Sequence, residues 1–144
     1  MTVAREMLDR YPGVLKADPE TLAATIDVLH DCIQTCTADA DADLSEPHIA
    51  NLVKCIRLCL DCADVCATTI RVITRQTEPD YKAIAPMLVA CATMCRISGD
   101  ECERHAHLHE HCRFCAEVSR RCEQACRELL AQFTTSVECQ DQAS

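Results

Sequence analysis

The chain has 144 residues, a formal net charge of −9 and 14 cysteines, with no Trp, two Phe, two Tyr and two Gly. The length suits one domain, and the shortage of glycine and aromatic residues excludes a β-sandwich, a barrel or a parallel sheet. The acidic balance argues against a nucleic-acid partner, because phosphate binding needs a basic face. No stretch has the length and apolarity of a membrane span, and residues 1–11 lack a signal-peptide core. We therefore predict a cytoplasmic protein without a membrane partner.

The predicted elements are all helical. A short helix over residues 2–11 is stopped by Pro12-Gly13. Asp18-Pro19-Glu20 is typical of a helix N-cap and first turn, and it opens a helix that runs to about Asp41. An acidic link around Asp41 and Asp43 is expected to follow.

Three more long helices are predicted. The second bundle helix starts at residues 45–47 (Ser-Glu-Pro) and ends near Gln76. The third begins at residues 78–80 (Glu-Pro-Asp) and ends over residues 104–106. The fourth starts between residues 107 and 109 and runs to about Phe133.

Short links between long helices make neighbours antiparallel, so the predicted fold is an all-α, up-down-up-down four-helix bundle with a short extra N-terminal helix. Residues 1–17 hold that helix and its link. Residues 18–133 form the bundle, and residues 134–144 form a polar tail that we expect to be disordered.

Thirteen of the fourteen cysteines recur at spacings of three, four or seven residues on the four predicted bundle helices. Each set therefore lies on one helix face, at positions where a bundle normally carries Leu or Ile. Only Cys139, in the tail, stands apart. The thirteen are Cys32 and Cys36; Cys55, Cys59, Cys62 and Cys66; Cys91, Cys95 and Cys102; and Cys112, Cys115, Cys122 and Cys126.

This cysteine pattern favours bound metal over disulfides, because cytoplasmic thiols stay reduced. Five pairs at i, i+4 bring thiols about 6 Å apart at Cβ, a gap that two thiolates can close around one near-linear Cu(I) ion. Zn(II) needs a tetrahedron of ligands, which a rigid helical stripe provides poorly. Each Cu(I) also replaces one thiol proton and keeps the interior close to neutral. We predict several Cu(I) ions per chain, held by all thirteen cysteines.

Histidines mark one end of the predicted bundle. His105, His107, His109 and His111 are gathered there, and His107, His111 and Cys115 follow at i, i+4 and i+8. Imidazole binds Cu(I) more weakly than thiolate, so His107 and His111 are predicted to receive the ion and pass it inward. The opposite end is predicted to be closed with hydrocarbon. The residues expected there are Leu22, Ile26, Ile70, Ile73, Ile84, Met87, Leu88, Leu129, Leu130 and Phe133.

Two other classes of function are weighed against copper binding. A zinc-binding or redox-responsive regulatory protein would use few divalent ions or form disulfides. An enzyme with a Cys nucleophile and a His base would single out one thiol, and the sequence singles out none. We therefore expect no catalytic activity, with the zinc or redox regulator as the alternative to copper storage.

The C-x-x-x-C ladder on four helices and the motif H-x-H-x-x-x-H-C-R-x-C-A over residues 105–116 resemble the bacterial cytosolic copper storage proteins, from about residue 19 to 133. The resemblance implies a four-helix bundle that binds many Cu(I) ions through core thiolates. It also implies a homotetramer with an opening at the histidine end. The chain has fewer core cysteines than the richest members of that family, with Ser98 and Ser119 at inward positions where a thiol would fit. A small thiol or a chaperone is expected to deliver the copper.

Overall fold

The computed structural model describes the backbone of residues 1–143 and the side chains of residues 1–133. That part of the chain contains helices and turns and no strand, which confirms the all-α prediction. The helices are α1 (Val3–Asp9), α2 (Pro19–Leu44), α3 (Val53–Thr74), α4 (Tyr81–His105) and α5 (Glu110–Ala143), with a 3₁₀ turn over Ile49–Leu52 before α3.

The four long helices form a closed square. Helix α2 packs against α3 and α5, and α4 packs against the same two helices. Links of a few residues join consecutive helices, so neighbours run antiparallel. Helix α1 lies against α2, outside the square. The up-down-up-down bundle with a short extra N-terminal helix is thus confirmed.

Side-chain caps fix the starts of two bundle helices where the sequence predicts them. The Asp18 carboxylate accepts a hydrogen bond from the backbone N–H of Thr21 at 2.8 Å, with Pro19 in the first turn. The Asp80 carboxylate accepts from the backbone N–H of Lys82 at 3.0 Å. Each cap satisfies a backbone donor that the first helical turn leaves open.

The end of α2 differs from the prediction. The helix continues to Leu44, beyond the end predicted near Asp41, so Asp43 lies within it and not in a link. Asp39 and Asp43 extend the stripe of Cys36 by one and two turns and are buried, with exposed fractions of 2% and 0%. The expectation of an acidic surface link was wrong, because thiols and a histidine of other helices pair with these carboxylates.

The starts of α3 and α5 also differ. Residues 45–48 form a turn and α3 begins only at Val53, so residues 45–47 do not open this helix. Helix α5 begins at Glu110, since residues 106–108 turn and the backbone N–H groups of Leu108 and His109 both bond to the carbonyl of His105. Both turns lie at the end of the bundle that carries the histidines.

The opposite end of the bundle is closed by hydrocarbon, as predicted. Leu22, Leu88 and Leu129 are wholly buried there, and the rings of Tyr81 and Phe133 stack with centroids 4.8 Å apart. Burying each such side chain stabilises the fold by about 1.5–3 kcal/mol. Met87 and Leu130 are only half-buried at its margin.

Helix α5 is assigned through Ala143, past the end predicted near Phe133. The side chains of residues 134–144, Cys139 among them, lie outside the described part of the chain. The polar, disordered tail stays a prediction, as does the division at residues 17 and 133. Among the described residues, no helix combines the length and the apolarity needed to cross a membrane.

Candidate metal centre

All thirteen bundle cysteines are free thiols with an exposed fraction of 0%. The helical spacing that places them on one face per helix therefore turns every set inward, as predicted. They occupy the middle of the bundle and its histidine end, where leucine would otherwise fill the core.

The centre of the thiol column is a layer with one cysteine from each bundle helix. The sulfur atoms of Cys32, Cys66, Cys95 and Cys122 all lie within 4.8 Å of one another. Cys62 extends the layer, with its Sγ 3.8 Å from those of Cys32 and Cys95. The shortest sulfur–sulfur distances join thiols of different helices as well as thiols of the same helix. A thiol in this layer therefore has sulfur neighbours on several sides.

A second layer lies nearer the histidine end. The Sγ atoms of Cys59 and Cys102 are 3.6 Å apart, and that of Cys55 lies 3.8 Å from Cys102. Cys115 joins this group and is 3.8 Å from Cys36, which itself lies 3.8 Å from Cys32 in the central layer. The two layers thus form one continuous column of sulfur.

Several of the buried thiols hold their protons strongly in the absence of metal. Hydrogen bonds between neighbouring thiols, together with burial, raise the pKa of Cys62, Cys95, Cys102 and Cys122 above the ordinary thiol value of 9.0. Hydrogen bonds from neighbouring thiols instead lower the pKa of Cys32 and Cys91, so the interior of the metal-free protein is lined mostly with neutral thiols, which pack as small hydrophobic groups.

Asp39 is a buried carboxylate that the sequence reasoning did not place in the site. Its Oδ2 accepts hydrogen bonds from the thiols of Cys59 (3.4 Å), Cys102 (3.5 Å) and Cys55 (3.8 Å). Together with Cys59, Cys102 and Cys115 it forms a group whose ligand atoms lie within 4.8 Å of one another. Its position three residues after Cys36, on the same stripe, was the signal available in the sequence.

Asp43 lies one turn closer to the histidine end of the bundle, and its carboxylate has fewer hydrogen-bond partners than that of Asp39. Its Oδ1 accepts from the thiol of Cys112 at 3.4 Å, while its buried Oδ2 has no hydrogen-bond partner. Burial and the neighbouring Asp39 charge raise the pKa of this carboxyl above its ordinary value. The unpaired Oδ2 of Asp43 is therefore available as a ligand for a cation.

His111 connects these carboxylates to the surface. Its Nδ1 lies 2.6 Å from Oδ1 of Asp39, and its Nε2 lies 2.9 Å from Oε1 of Glu46 in the turn after α2. Desolvation works against the charged ring, but the hydrogen bonds to Asp39 and Glu46 and the Asp39 and Asp43 charges raise the pKa of His111. Its ring also stacks on that of His109, with centroids 5.4 Å apart.

The other histidines at this end of the bundle differ in their surroundings. His107 is exposed in the turn before α5, so the helical line predicted through His107, His111 and Cys115 exists only from His111 onward. His105 pairs with the buried Glu101 at 3.1 Å. His109, not His107, is the neighbour of His111, because the turn at residues 106–108 breaks the helical register on which the prediction rested.

A square bundle with a sulfur-lined interior, closed by hydrocarbon at one end and bounded by histidine and carboxylate side chains at the other, defines a thiol-rich metal-binding bundle. The chain belongs to the copper storage protein family (Csp), whose sequence model matches residues 18–131. That match covers all four bundle helices up to the last turns of α5.

Solved structures of copper storage proteins agree with this assignment, and a curated relative shares the cysteine-rich character of the chain. The chain is similar to the copper storage protein Ccsp from Streptomyces lividans loaded with 10 copper equivalents, at 52% identity and a TM-score of 0.88 over 90% of this chain and 99% of that one. It is also similar to the Cu(I)-bound copper storage protein BsCsp3, at 29% identity and a TM-score of 0.68 over 76% and 98%. The uncharacterized cysteine-rich protein YhjQ of Bacillus subtilis (strain 168) is 35% identical over 109 residues, 75% of this chain and 94% of that protein.

Proposed function

We propose that this chain binds and stores several Cu(I) ions inside its bundle, for copper sequestration, storage or detoxification. The observation that carries the proposal is the continuous column of thirteen wholly buried, free thiols. A protein that needed one structural metal would use about four of them. Family membership and the copper-loaded relatives support the same conclusion.

Thiol chemistry explains why the cargo is monovalent copper. Cu(I) is soft and prefers thiolate, and each ion bound displaces thiol protons, so little net charge accumulates in the bundle interior. The raised pKa values of thiols such as Cys95 and Cys102 mean that those protons stay in place until metal displaces them. The protein can therefore fold first and be filled afterwards.

The sulfur spacing indicates how the ions are held. With a metal–sulfur bond of about 2.3 Å, a linear ion needs its two sulfurs about 4.6 Å apart, whereas three-coordinate geometry needs about 4.0 Å. The shortest contacts between neighbouring thiols run from 3.6 Å (Cys59 and Cys102) to 4.0 Å (Cys62 and Cys66), and the four sulfurs of the central layer all lie within 4.8 Å of one another. Small side-chain rotations suffice to admit an ion, and the three-dimensional packing favours thiolates that bridge two ions.

The copper route that we propose enters at the histidine end. His111 passes the ion inward, and Asp39 assists because its two oxygens contact His111 on one side and Cys59 and Cys102 on the other. His107, exposed on the same rim, is the outermost residue of this route. A small thiol or a chaperone is the donor.

We further propose that the protein works in the cytoplasm, as a homotetramer and without catalytic activity. Support for the location comes from the relative described as a cytosolic copper storage protein from Streptomyces lividans. Support for assembly comes from the family resemblance, and from Leu60, Val89 and Ile97, which are 41–45% exposed on the sides of the bundle.

One observation favours the zinc or redox alternative. Cys32, Cys66, Cys95 and Cys122 supply the four-sulfur donor set of a structural zinc site, with all four atoms within 4.8 Å. A zinc protein would nevertheless leave most of the column unused.

The test is an anaerobic Cu(I) titration of the reduced protein against a chromophoric chelator, combined with native mass spectrometry. Storage predicts uptake near the 10 equivalents loaded into the Streptomyces protein, with the helical signal preserved. Saturation at about one or two ions would contradict storage, and zinc binding and redox regulation would then be tested next.

A further inference from the structure

The rim of the opening carries a group of side chains that differs in chemistry from the sulfur column. Oε1 of Glu46 lies between two imidazole rings, 3.2 Å from Nδ1 of His109 and 2.9 Å from Nε2 of His111. These three ligand atoms lie within 4.8 Å of one another. None of them is sulfur, so the group has no particular preference for a soft ion.

Asp39 orients this group from below. Its Oδ1 lies 2.6 Å from Nδ1 of His111, and Oε1 of Glu46 lies 2.9 Å from Nε2, so in the absence of metal each ring nitrogen can donate a hydrogen bond to a carboxylate. A carboxylate behind a histidine whose other nitrogen points into a site is the usual support of a metal-binding imidazole. A divalent cation that replaces the proton between Nε2 and Glu46 would keep the contact of Nδ1 with Asp39 and would gain both Nε2 and the Glu46 carboxylate as ligands.

The solvent exposure of these three side chains is also compatible with a bound ion. The side chains of His109, His111 and Glu46 are 18%, 28% and 27% exposed, so the group is reached from solvent and leaves positions for water. Glu46 sits in the turn after α2, and His109 lies directly before α5, on two helices that pack against each other. An ion held by all three would therefore link the end of α2 to the start of α5.

We propose that Glu46, His109 and His111 form a separate site for a borderline divalent cation of the Zn(II) type at the rim of the bundle. Two imidazoles and one carboxylate are the donors that Zn(II) takes in three-ligand sites with open positions. His111 belongs both to this site and to the proposed copper route, so an ion bound here blocks the entry of copper. This consequence, unlike the site itself, rests on the proposed function.

The site is located directly by crystallography of the reduced protein soaked with Zn(II), with anomalous data on both sides of the zinc absorption edge. The expected result is a peak between Glu46, His109 and His111, whether or not core thiols also bind zinc. Peaks confined to the sulfur column overturn the proposal. Since this measurement needs no copper, a failure of copper storage leaves its outcome unchanged.

Solution binding is measured with Co(II) on copper-loaded protein, whose thiolates are already occupied. One Co(II) per chain is expected, without the intense sulfur-to-metal charge-transfer absorption of thiolate ligation. Glu46→Gln and His109→Gln should each weaken binding by at least about tenfold. His48→Gln, at an exposed histidine of the same end, is the matched control and should bind like the parent.

Two outcomes of the Co(II) titration contradict the site. Equal binding by Glu46→Gln and the His48→Gln control would show an adventitious ion only. Sulfur charge-transfer absorption would place the cobalt in the column. Circular dichroism of each variant checks that its helices are intact, so that lost binding reports lost ligands.

Discussion

Asp39 and His111 face each other across the α2–α5 contact, with Oδ1 of the carboxylate 2.6 Å from Nδ1 of the ring. The other oxygen of Asp39 accepts hydrogen bonds from the thiols of Cys59 and Cys102. One buried carboxylate thus contacts both the surface histidine and the first layer of sulfur. The geometry gives Asp39 two functions, to orient the ring and to receive thiol hydrogen bonds.

Replacing Asp39 with Asn should slow copper loading by about tenfold, because a neutral amide orients and polarises His111 less well than a carboxylate. Stopped-flow absorption of Cu(I) uptake measures the rate. Asp31→Asn, at an exposed position of the same helix, is the matched control and should leave the rate unchanged. Equal rates for the two variants would remove Asp39 from the route.

Replacing both His107 and His111 with Phe should slow loading while leaving the final copper content nearly unchanged, since neither residue belongs to the sulfur column. The single variants separate the two residues. His111→Phe should account for most of the effect, because His111 contacts Asp39 and Glu46, whereas His107 is exposed in a turn. Stopped-flow rates for the double variant that match the parent would contradict the copper route through the histidine end.

The sequence predicted the bundle and its sulfur column because both depend on local rules. Cysteines three or four residues apart must share a helix face, and caps such as Asp18 and Asp80 mark helix starts through contacts within a few residues. Thirteen inward thiols follow from those rules alone, without knowledge of which helices touch.

The carboxylates of the site were missed because their burial depends on distant partners. Asp39 is buried against His111, 72 residues away in the chain, and against Cys102, 63 residues away. An aspartate near a helix end is normally read as a surface residue, since an unpaired buried charge is costly. The pairing that removes this cost appears only in the folded protein.

The pairing of His109 with His111 was missed for a different reason. The prediction assumed a helix through residue 107, in which His107 and His111 would share a face. A turn over residues 106–108 removes that relation and brings His109 beside His111 instead. Residue spacing predicts which side chains share a face only within one helix. Here the start of α5 lies inside the histidine motif.

Copper affinity should rise with pH. The pKa values of Cys62, Cys95, Cys102 and Cys122 are raised above 9.0 by neighbouring thiols and burial, so these thiols are protonated in the metal-free protein near neutral pH. Each proton released on binding makes the apparent affinity about tenfold higher per pH unit. Chelator competition at several pH values, corrected for the proton binding of the chelator, measures the slope. A flat profile would mean that copper binds without displacing thiol protons.

Adding a thiol beside the column should raise the copper content per chain. Ser98 is wholly buried, and its hydroxyl donates to Sγ of Cys59 at 3.9 Å, so Ser98→Cys places a further sulfur in contact with the existing layer. The exchange of oxygen for sulfur changes the side-chain volume little, and the buried thiol needs no strong hydrogen-bond partner.

Ser119 offers a second position, with its Oγ 3.9 Å from Sγ of Cys36, but space there is tighter. A Cβ added at Gly99 would lie only 3.3 Å from Cβ of Ser119, which shows how closely α4 and α5 approach at this point. Ser98→Cys should therefore gain copper with full stability, while Ser119→Cys should gain copper with a lower free energy of unfolding. Native mass spectrometry counts the ions, and Ser98→Ala is the control that keeps the parent content. If Ser98→Cys binds no more copper than Ser98→Ala, contact with the column is not enough to make a thiol a ligand.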